Sequence, residues 1–145
     1  MFSKACEYGI KATLHIAEQA LRSEKKTGVK EIAKEINSPE AFTAKIMQIL
    51  SKNKIVKSVK GPSGGFYITQ KDLERIKLSA IVKAIDGDQI YVGCGLGLSQ
   101  CNADKPCPVH DQFKIVRDEL AKMLNNTTLL ELATGLDSGL TFLKR

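Results

Sequence analysis

The chain has 145 residues, of which 43% are hydrophobic and 26% are charged, and its formal net charge is +6. This length can bury a core without disulfides, no stretch predicts a membrane-spanning helix, and the amphipathic N-terminus does not resemble a signal peptide. We therefore expect a cytoplasmic protein with no membrane partner, whose clustered cysteines bind metal or react rather than form disulfides.

The first predicted element is an amphipathic helix over residues 3–22. Cys6 lies on its apolar stripe, where we interpret it as a small buried residue. Glu7 and His15 lie on the polar stripe, and His15 is expected to be solvated. This helix is therefore predicted to pack one face against a core.

Two more helices are predicted over residues 29–36 and 39–53. The second of them is expected to bury Phe42, Ile46, Ile49 and Leu50. It is expected to point five polar residues outward, namely Glu40, Thr43, Lys45, Gln48 and Lys52. A helix, a short turn and a second helix with a polar, partly basic outer face are typical of a helix-turn-helix.

A β-hairpin with a basic tip is predicted directly after these helices. Strands over residues 55–59 and 66–69 flank the turn KGPSGG, which begins at Lys60. A nucleotide-binding phosphate loop is the rival interpretation of GPSGG, but the lysine-then-Ser/Thr ending of that motif is missing. Residues 1–77 are therefore predicted to form a winged helix-turn-helix DNA-binding domain.

The positive charge is concentrated in this first segment. Residues 1–77 contain 15 Lys and Arg against 8 Asp and Glu, whereas residues 78–145 contain 7 against 8. Five lysines and no acid occur between residues 41 and 60: Lys45, Lys52, Lys54, Lys57 and Lys60. A solvated basic face is one interpretation, but a window with a single sign of charge favours a polyanionic partner.

The second segment, residues 78–145, is predicted to hold a helix over residues 78–87, a cysteine-containing loop and a long helix opened by Pro108. The long helix carries an apolar stripe of Val109, Phe113, Val116, Leu120 and Leu124. That stripe can pack within one chain or against a second copy. A short final helix follows, and the predicted fold class is mainly α with a small β-hairpin.

Three cysteines and a histidine lie close together between residues 94 and 110: Cys94, Cys101, Cys107 and His110. The offset of three residues places Cys107 and His110 on one side of a first helical turn. Three thiolates and an imidazole suit tetrahedral zinc or an iron–sulfur cluster, and a redox-active thiol cluster is a further alternative. Structural zinc sites usually bring close CxxC pairs, and none occurs here.

The motifs KGPSGGFYIT, FTAKIMQILSKNKIV, LSAIVKAIDG, the cysteine loop and LNNTTLLEL resemble, in this order, the Rrf-two family of bacterial regulators over residues 1 to about 134. The resemblance implies a homodimeric winged-helix transcription factor on double-stranded operator DNA, with the long C-terminal helix as its dimerisation helix. It implies no enzymatic activity, and the sequence shows no paired catalytic carboxylates or nucleophile motif.

The resemblance and the polar helix face together give a predicted set of DNA contacts. Lys60 occupies the position where family members insert a basic residue into the minor groove, and Thr43 and Lys45 occupy base-reading positions. The full predicted set is Thr43, Lys45, Gln48, Lys52, Lys57, Lys60, Gly61 and Ser63. Ala44 and Lys45 differ from the residues found in IscR-like members, so a different operator sequence is expected.

The resemblance also implies that the loop holds an iron–sulfur cluster, a 2Fe–2S rather than a 4Fe–4S cluster. Cys94, Cys101 and Cys107 are the implied cysteine ligands, and the fourth ligand is His110 or alternatively Glu7 from the partner subunit. Operator affinity would then respond to iron, redox state or nitric oxide. The alternatives are a cluster-free thiol-sensing regulator and a redox carrier that does not bind DNA.

Overall fold

The computed structural model describes residues 1–144, which form eight helices and one two-stranded antiparallel sheet. The elements, in chain order, are α1 (Lys4–Arg22), α2 (Val29–Glu35), α3 (Glu40–Lys52), β1 (Lys57–Val59), β2 (Gly65–Tyr67), α4 (Gln70–Arg75), α5 (Leu78–Asp86), α6 (Gln89–Val92), α7 (His110–Asn126) and α8 (Leu129–Asp137). The predicted mainly helical fold with a small hairpin is confirmed. No helix within the described residues is long and apolar enough to cross a bilayer.

The central helix of the fold is α1, which packs against α3, α5 and α8. It begins where Ser3 caps it, because the Ser3 hydroxyl accepts a hydrogen bond from the Cys6 amide at 3.1 Å. Gly9 faces α5 so closely that a Cβ there would lie 2.2 Å from the Ile85 Cδ1 atom. A side chain at position 9 would therefore have to displace the end of the Ile85 side chain from the contact between α1 and α5.

The winged helix-turn-helix occupies the predicted place. Strands β1 and β2 pair antiparallel, with Ser58 opposite Phe66. Thr27, in the segment between α1 and α2, forms an isolated bridge with Phe66 and so adds a third strand-like contact. The backbone N–H of each of these two residues donates to the carbonyl of the other at 2.9 Å. The wing is therefore tied to the helical body at its base.

The last helix returns to the N-terminal half. A capping box formed by Thr128 and Glu131 starts α8, which then packs on α1 and α4. Leu129 and Ala133 of α8 join the main core, which otherwise draws mostly on residues before Ile81. Both predicted segments therefore contribute to the main core, and the division at residue 77 remains a proposal about roles.

Three elements differ from the sequence prediction. Helix α4 was not predicted, although Thr69 and Asp72 form the capping box that begins it. The short helix α6 also lies where only the cysteine loop was expected. Helix α7 begins at His110 rather than at Pro108, because Val109, at φ −120° and ψ 18°, is its N-cap. Cys107 is therefore outside the helix, two residues before the cap.

Candidate nucleic-acid interface and cysteine loop

The outer face of α3 carries three exposed polar residues, Lys45, Gln48 and Lys52. Their spacing of three and four residues places them on one side of a helix. All three side chains were predicted to point outward, and this placement is confirmed. Lysine donates to guanine or phosphate, and a glutamine amide can bind adenine, so this face carries the groups that base readout uses.

Thr43 corrects the prediction, because its side chain is fully buried instead of pointing outward. Its hydroxyl donates back to the Pro39 carbonyl at 2.9 Å and lies 3.0 Å from the Ser38 hydroxyl oxygen. A threonine in the first turn of a helix can satisfy its hydroxyl in this way without leaving the core. The side chain therefore fixes the start of α3 and does not face a DNA groove.

Two other side chains are also placed differently from the prediction. Met47 is fully buried in α3, whereas Ile49, which was expected in the core, is 36% exposed. His15 was expected to be solvated, but its Nε2 atom is buried and has no hydrogen-bond partner among residues 1–144. The buried stripe of α3 therefore shares Ile46 and Leu50 with the predicted stripe but is turned towards Thr43 and Met47 and away from Ile49.

The wing tip is exposed at Lys60, Gly61 and Ser63. Gly61 has φ +104°, a conformation that side chains rarely adopt, and its carbonyl accepts a hydrogen bond from Gly64 at 3.0 Å. This tight turn places Lys60 at the end of the hairpin with no salt-bridge partner among residues 1–144. Its amino group is available to a polyanion.

At the base of the wing, Lys57 is held by an ionised carboxylate. Burial alone would raise the pKa of Asp72, but hydrogen bonds from Thr69 and Arg75 outweigh it and lower the pKa. The Lys57 amino group lies 3.8 Å from the Asp72 carboxylate, and the lysine side chain remains 52% exposed. Lys57 can therefore reach a phosphate while Asp72 orients it.

The cysteine loop is anchored to α7 through Cys101. The Cys101 Sγ atom lies 3.4 Å from the His110 Nδ1 atom and accepts a hydrogen bond from the Arg117 guanidinium at 3.2 Å. Arg117 also donates to the Gly93 carbonyl, at the other end of the loop. Sequence reasoning did not identify Arg117, although its position seven residues after His110 on α7 places both on one helix face.

Cys94, in contrast to Cys101, accepts hydrogen bonds from the backbone. Hydrogen bonds from the backbone N–H groups of Leu96 and Leu98, together with a contact from the Cys107 thiol, lower the pKa of Cys94 below its ordinary value. Its thiolate is therefore favoured, as both metal binding and thiol oxidation require. By contrast, burial raises the pKa of Cys6 to about 12, consistent with its predicted role as an inert core residue.

The four predicted metal ligands thus form two pairs, Cys94 with Cys107 and Cys101 with His110. Within residues 1–144, no group of three or more Cys, His, Asp or Glu side chains is assembled as a metal site. The donor types nevertheless fit a soft metal centre, since three thiols and an imidazole lie on one loop and the start of one helix. Glu7, the alternative fourth ligand, pairs with Lys4 at 2.9 Å.

Beside the loop, α7 presents an apolar surface. Gly95 lies against the ring of Phe113, where a Cβ would come within 2.5 Å of the ring carbons. Four large apolar side chains of α7 are exposed, namely Phe113 at 38%, Ile115 at 65%, Val116 at 58% and Met123 at 49%. Leu124 is fully buried in the chain's own second core cluster, so the predicted stripe is divided between an internal and an outward face.

Comparison with known proteins agrees with this architecture. Residues 2–135 match the sequence model of the Rrf2 family, described as an iron-dependent transcriptional regulator. A protein of Aquifex aeolicus named "Putative HTH-type transcriptional regulator" is 34% identical over 134 residues, covering 91% of this chain and 90% of that protein. IscR of Yersinia pseudotuberculosis is 31% identical over 97 residues, covering 67% of this chain and 58% of that protein.

Two solved structures share the fold. CymR of Bacillus subtilis, described as its global cysteine regulator, superposes with a TM-score of 0.76 at 23% identity, covering 92% of this chain and 96% of that one. IscR of T. potens superposes with a TM-score of 0.71 at 19% identity, covering 98% of this chain and 92% of that one. At these identities the structural similarity concerns the fold alone.

Proposed function

This chain belongs to the Rrf2 family of transcriptional regulators, and we propose that it binds double-stranded operator DNA in the cytoplasm as a homodimer, with an affinity set by its cysteine loop. The observation that carries the proposal is the pair of exposed basic surfaces on α3 and on the wing tip, in a chain that also holds a loop of three thiols and a histidine. The family is one of regulators and not of enzymes.

In the proposed complex, α3 enters the major groove and the wing lies along the minor groove. Lys45 and Gln48 read base edges, and Lys52 and Lys57 bind phosphates. Lys60 enters the minor groove, where narrow A·T-rich steps concentrate negative potential. Gly61 lets the wing backbone approach the phosphates closely, and Ser63 is exposed beside it in the same turn. Thr43 is left out of this set because its hydroxyl is buried.

The proposed dimer interface is the exposed apolar face of α7. An isolated apolar patch on a soluble regulator marks an interaction surface, and operator recognition by winged-helix proteins commonly uses two half-sites. Because α7 begins at His110, the same helix carries the interface and one end of the cysteine loop. A change in the loop can therefore alter the placement of the two DNA-binding surfaces.

The proposed sensor is an iron–sulfur cluster held by Cys94, Cys101 and Cys107, with His110 or Glu7 as the fourth ligand and the 2Fe–2S type as the first expectation. When bound, such a cluster supplies iron that responds to electrons, oxygen or nitric oxide. The chain's own contribution is in its orientation of the ligands. Arg117 and His110 hold the Cys101 sulfur, and the Leu96 and Leu98 amides favour the Cys94 thiolate.

A cluster-free thiol switch is the second candidate, and one observation favours it directly. The lowered pKa of Cys94 and its contact with the Cys107 thiol give a nucleophilic thiolate beside a second thiol. In this case oxidation, rather than cluster loss, would change the loop. Both candidates share the same DNA-binding surfaces.

The decisive experiment measures operator affinity and colour together. Protein purified without oxygen should contain iron and sulfide and absorb visible light, and its operator affinity should differ from those of the cluster-free protein and of a Cys94, Cys101 and Cys107→Ala variant. Cys6→Ala, which changes a buried cysteine outside the loop, is the matched control and should keep the colour.

The salt dependence of operator binding tests the basic surfaces. If each subunit neutralises about three phosphates, the slope of log operator affinity against log salt concentration should be near −5.

The outcomes separate the candidates. Colourless protein whose operator affinity changes on oxidation would support the thiol switch. Coloured protein that binds no DNA in any redox state would be a redox carrier. Equal affinity in the holo, cluster-free and triple-cysteine forms would reject the sensor role of the loop.

A further inference from the structure

A cleft of about 350 Å³ lies apart from both surfaces described above. It is formed by the end of α3, the junction between α4 and α5, α6 and the end of α7. Its volume lies within the range of small-ligand sites. The cleft therefore borders both the residues that follow α3 and helix α6, which precedes Cys94.

Four cationic residues from three parts of the chain line this cleft: Lys54, Arg75, Lys77 and Lys83. The only carboxylate among its lining residues is Asp88. Arg75 is paired with Asp72 outside the cleft at 3.0 Å. Among residues 1–144, no carboxylate lies within 4 Å of the amino groups of Lys54, Lys77 or Lys83. Three lysines without a salt-bridge partner therefore line a cavity that holds one carboxylate, and this excess of positive charge favours an anion.

The N-terminus of α5 adds hydrogen-bond donors to the same cleft. Lys77 is the N-cap residue and makes no side-chain cap, and the backbone N–H of Ser79 has no acceptor among residues 1–144. The first turn of a helix carries partial positive charge and unpaired N–H groups that favour anions. The side chain of Asn125, which also lines the cleft, supplies an amide group, whereas the Asn53 amide already donates to the Ile49 carbonyl at 2.8 Å.

We propose that this cleft binds a small oxyanion carrying at least two negative charges, such as a phosphorylated or polycarboxylate metabolite. The three lysines neutralise its charge, and the first turn of α5 donates to its oxygens. Asp88, which also lines the cleft, repels an anion, so recognition rests on the three lysines and on the α5 donors.

Occupancy of this cleft would link the two functional regions. The ligand would contact Lys54, two residues after the end of α3, and would lie beside Tyr91, three residues before Cys94. A ligand bound there would therefore favour one placement of α3 relative to the cysteine loop. This regulatory consequence rests on the proposed function, whereas the binding of the anion does not.

The test uses the full chain without DNA, with pyrophosphate and citrate as separate probes. Each is titrated by calorimetry and by thermal unfolding, against sodium chloride at matched ionic strength. At about a hundredfold excess over the dissociation constant, the thermal midpoint should rise by roughly 5 °C or more. A response to pyrophosphate alone would assign a phosphorylated ligand, and a response to citrate alone a polycarboxylate.

A pair of double variants locates the site. Lys77→Gln with Lys83→Gln should weaken binding of the responding probe by at least about tenfold, since two charge-assisted contacts are lost. Lys71→Gln with Lys122→Gln removes the same charge from exposed positions outside the cleft and should bind like the unchanged protein. Circular dichroism confirms that the variants are folded, and Lys83→Gln alone replaces the first pair if it does not fold.

Three results would overturn the proposal. One is a thermal response no larger than that of sodium chloride. Another is equal weakening in both double variants, which would indicate general charge screening. The third concerns operator affinity in buffer without the anion. If the Lys77 and Lys83 double variant loses as much affinity as Lys60→Ala does, the cleft is a contact with the DNA backbone. Because the anion is titrated without DNA, failure here leaves the DNA-binding proposal untouched.

Discussion

Lys60 is the residue on which the proposed minor-groove contact depends. It is exposed at the tip of the wing, and no carboxylate among residues 1–144 competes for its charge. A minor-groove lysine gains most where the groove is narrow and its potential is most negative. Its contribution should therefore vary with the base sequence under the wing.

Lys60→Ala should lower operator affinity by about tenfold at low salt and reduce the salt slope, because each subunit loses one phosphate-proximal charge. Fluorescence anisotropy with operators that differ only under the wing measures the effect, which should be largest for the A·T-rich duplex. Lys71→Ala, at an exposed position on α4, is the charge-matched control. Unchanged affinity in Lys60→Ala would remove the wing from the interface.

The cysteines differ in environment, and this difference predicts an order of reactivity. Backbone donors lower the pKa of Cys94, whereas burial raises the pKa of Cys6 to about 12. Because only the thiolate is alkylated, a lowered pKa brings reactivity to a lower pH and a raised pKa removes it from the neutral range.

In reduced, metal-free protein at pH 7, iodoacetamide should therefore modify Cys94 in a fast phase and Cys6 only on unfolding. The alkylation rate of Cys94 should rise with pH and reach its plateau at a pH below 9.0, the ordinary pKa of a thiol. Peptide mass spectrometry assigns each site. Cys94→Ser should abolish the fast phase, and its persistence in that variant would contradict the assignment.

At the scale of elements, the wing depends on one close backbone approach. Gly65 has φ +143°, and a Cβ there would lie 2.8 Å from the Thr27 carbonyl oxygen. The same glycine precedes Phe66, which forms the bridge to Thr27. A side chain at position 65 must therefore push the wing away from the segment between α1 and α2.

Gly65→Ala should lower the free energy of unfolding by about 2 kcal/mol, through backbone strain and loss of the bridge. Gly28→Ser is a suitable control, since nothing lies within 4 Å of a Cβ there and serine is a good N-cap for α2. Denaturant titration measures the free energy of unfolding of both variants. Equal values for Gly65→Ala and Gly28→Ser would show that the contact with Thr27 can relax without cost.

Helix α7 exposes Ile115 and Val116 on its outer face, while Leu124 packs its inner face against the core. Removing the exposed pair should affect assembly and leave the fold of the single chain intact. The same helix begins at His110, so it joins the proposed dimer interface to the end of the cysteine loop.

Ile115→Asn with Val116→Asn should shift the protein from dimer to monomer in analytical ultracentrifugation, because the apolar contacts of the interface are lost. Helix content measured by circular dichroism should stay the same, since both side chains are more than half exposed. Asp118→Asn is the control on the same helix. A dimer of unchanged affinity in the double variant would place the interface elsewhere.

At the scale of the whole molecule, the two halves are interdependent. Helix α8 packs on α1 and α4, and the backbone of Leu129 donates to the Ile76 carbonyl at 3.1 Å. The cationic cleft likewise needs Lys54 from one half and Lys83 from the other. The proposed signal in the cysteine loop would therefore act on a body that includes the proposed DNA-binding surfaces.

The sequence alone determined the helix-turn-helix, the wing and the exposure of Lys45, Gln48 and Lys60. These features follow from local rules, because hydrophobic periodicity, turn residues and charge are properties of neighbouring positions. The capping box of Thr69 and Asp72 is a local signal of the same kind, and it predicts the start of α4. The four metal-ligand candidates were likewise identified by type and spacing.

The tertiary structure decided what local patterns leave open. Thr43 and Ile49 exchanged their expected places because two adjacent stripes of α3 are both plausible, and packing against α1 and α2 selects one. The pairing of Cys101 with Arg117 and the convergence of Lys54, Lys77 and Lys83 join residues far apart in the chain. Such contacts depend on how whole helices pack against one another, and the hydrophobic pattern along one helix does not specify that packing.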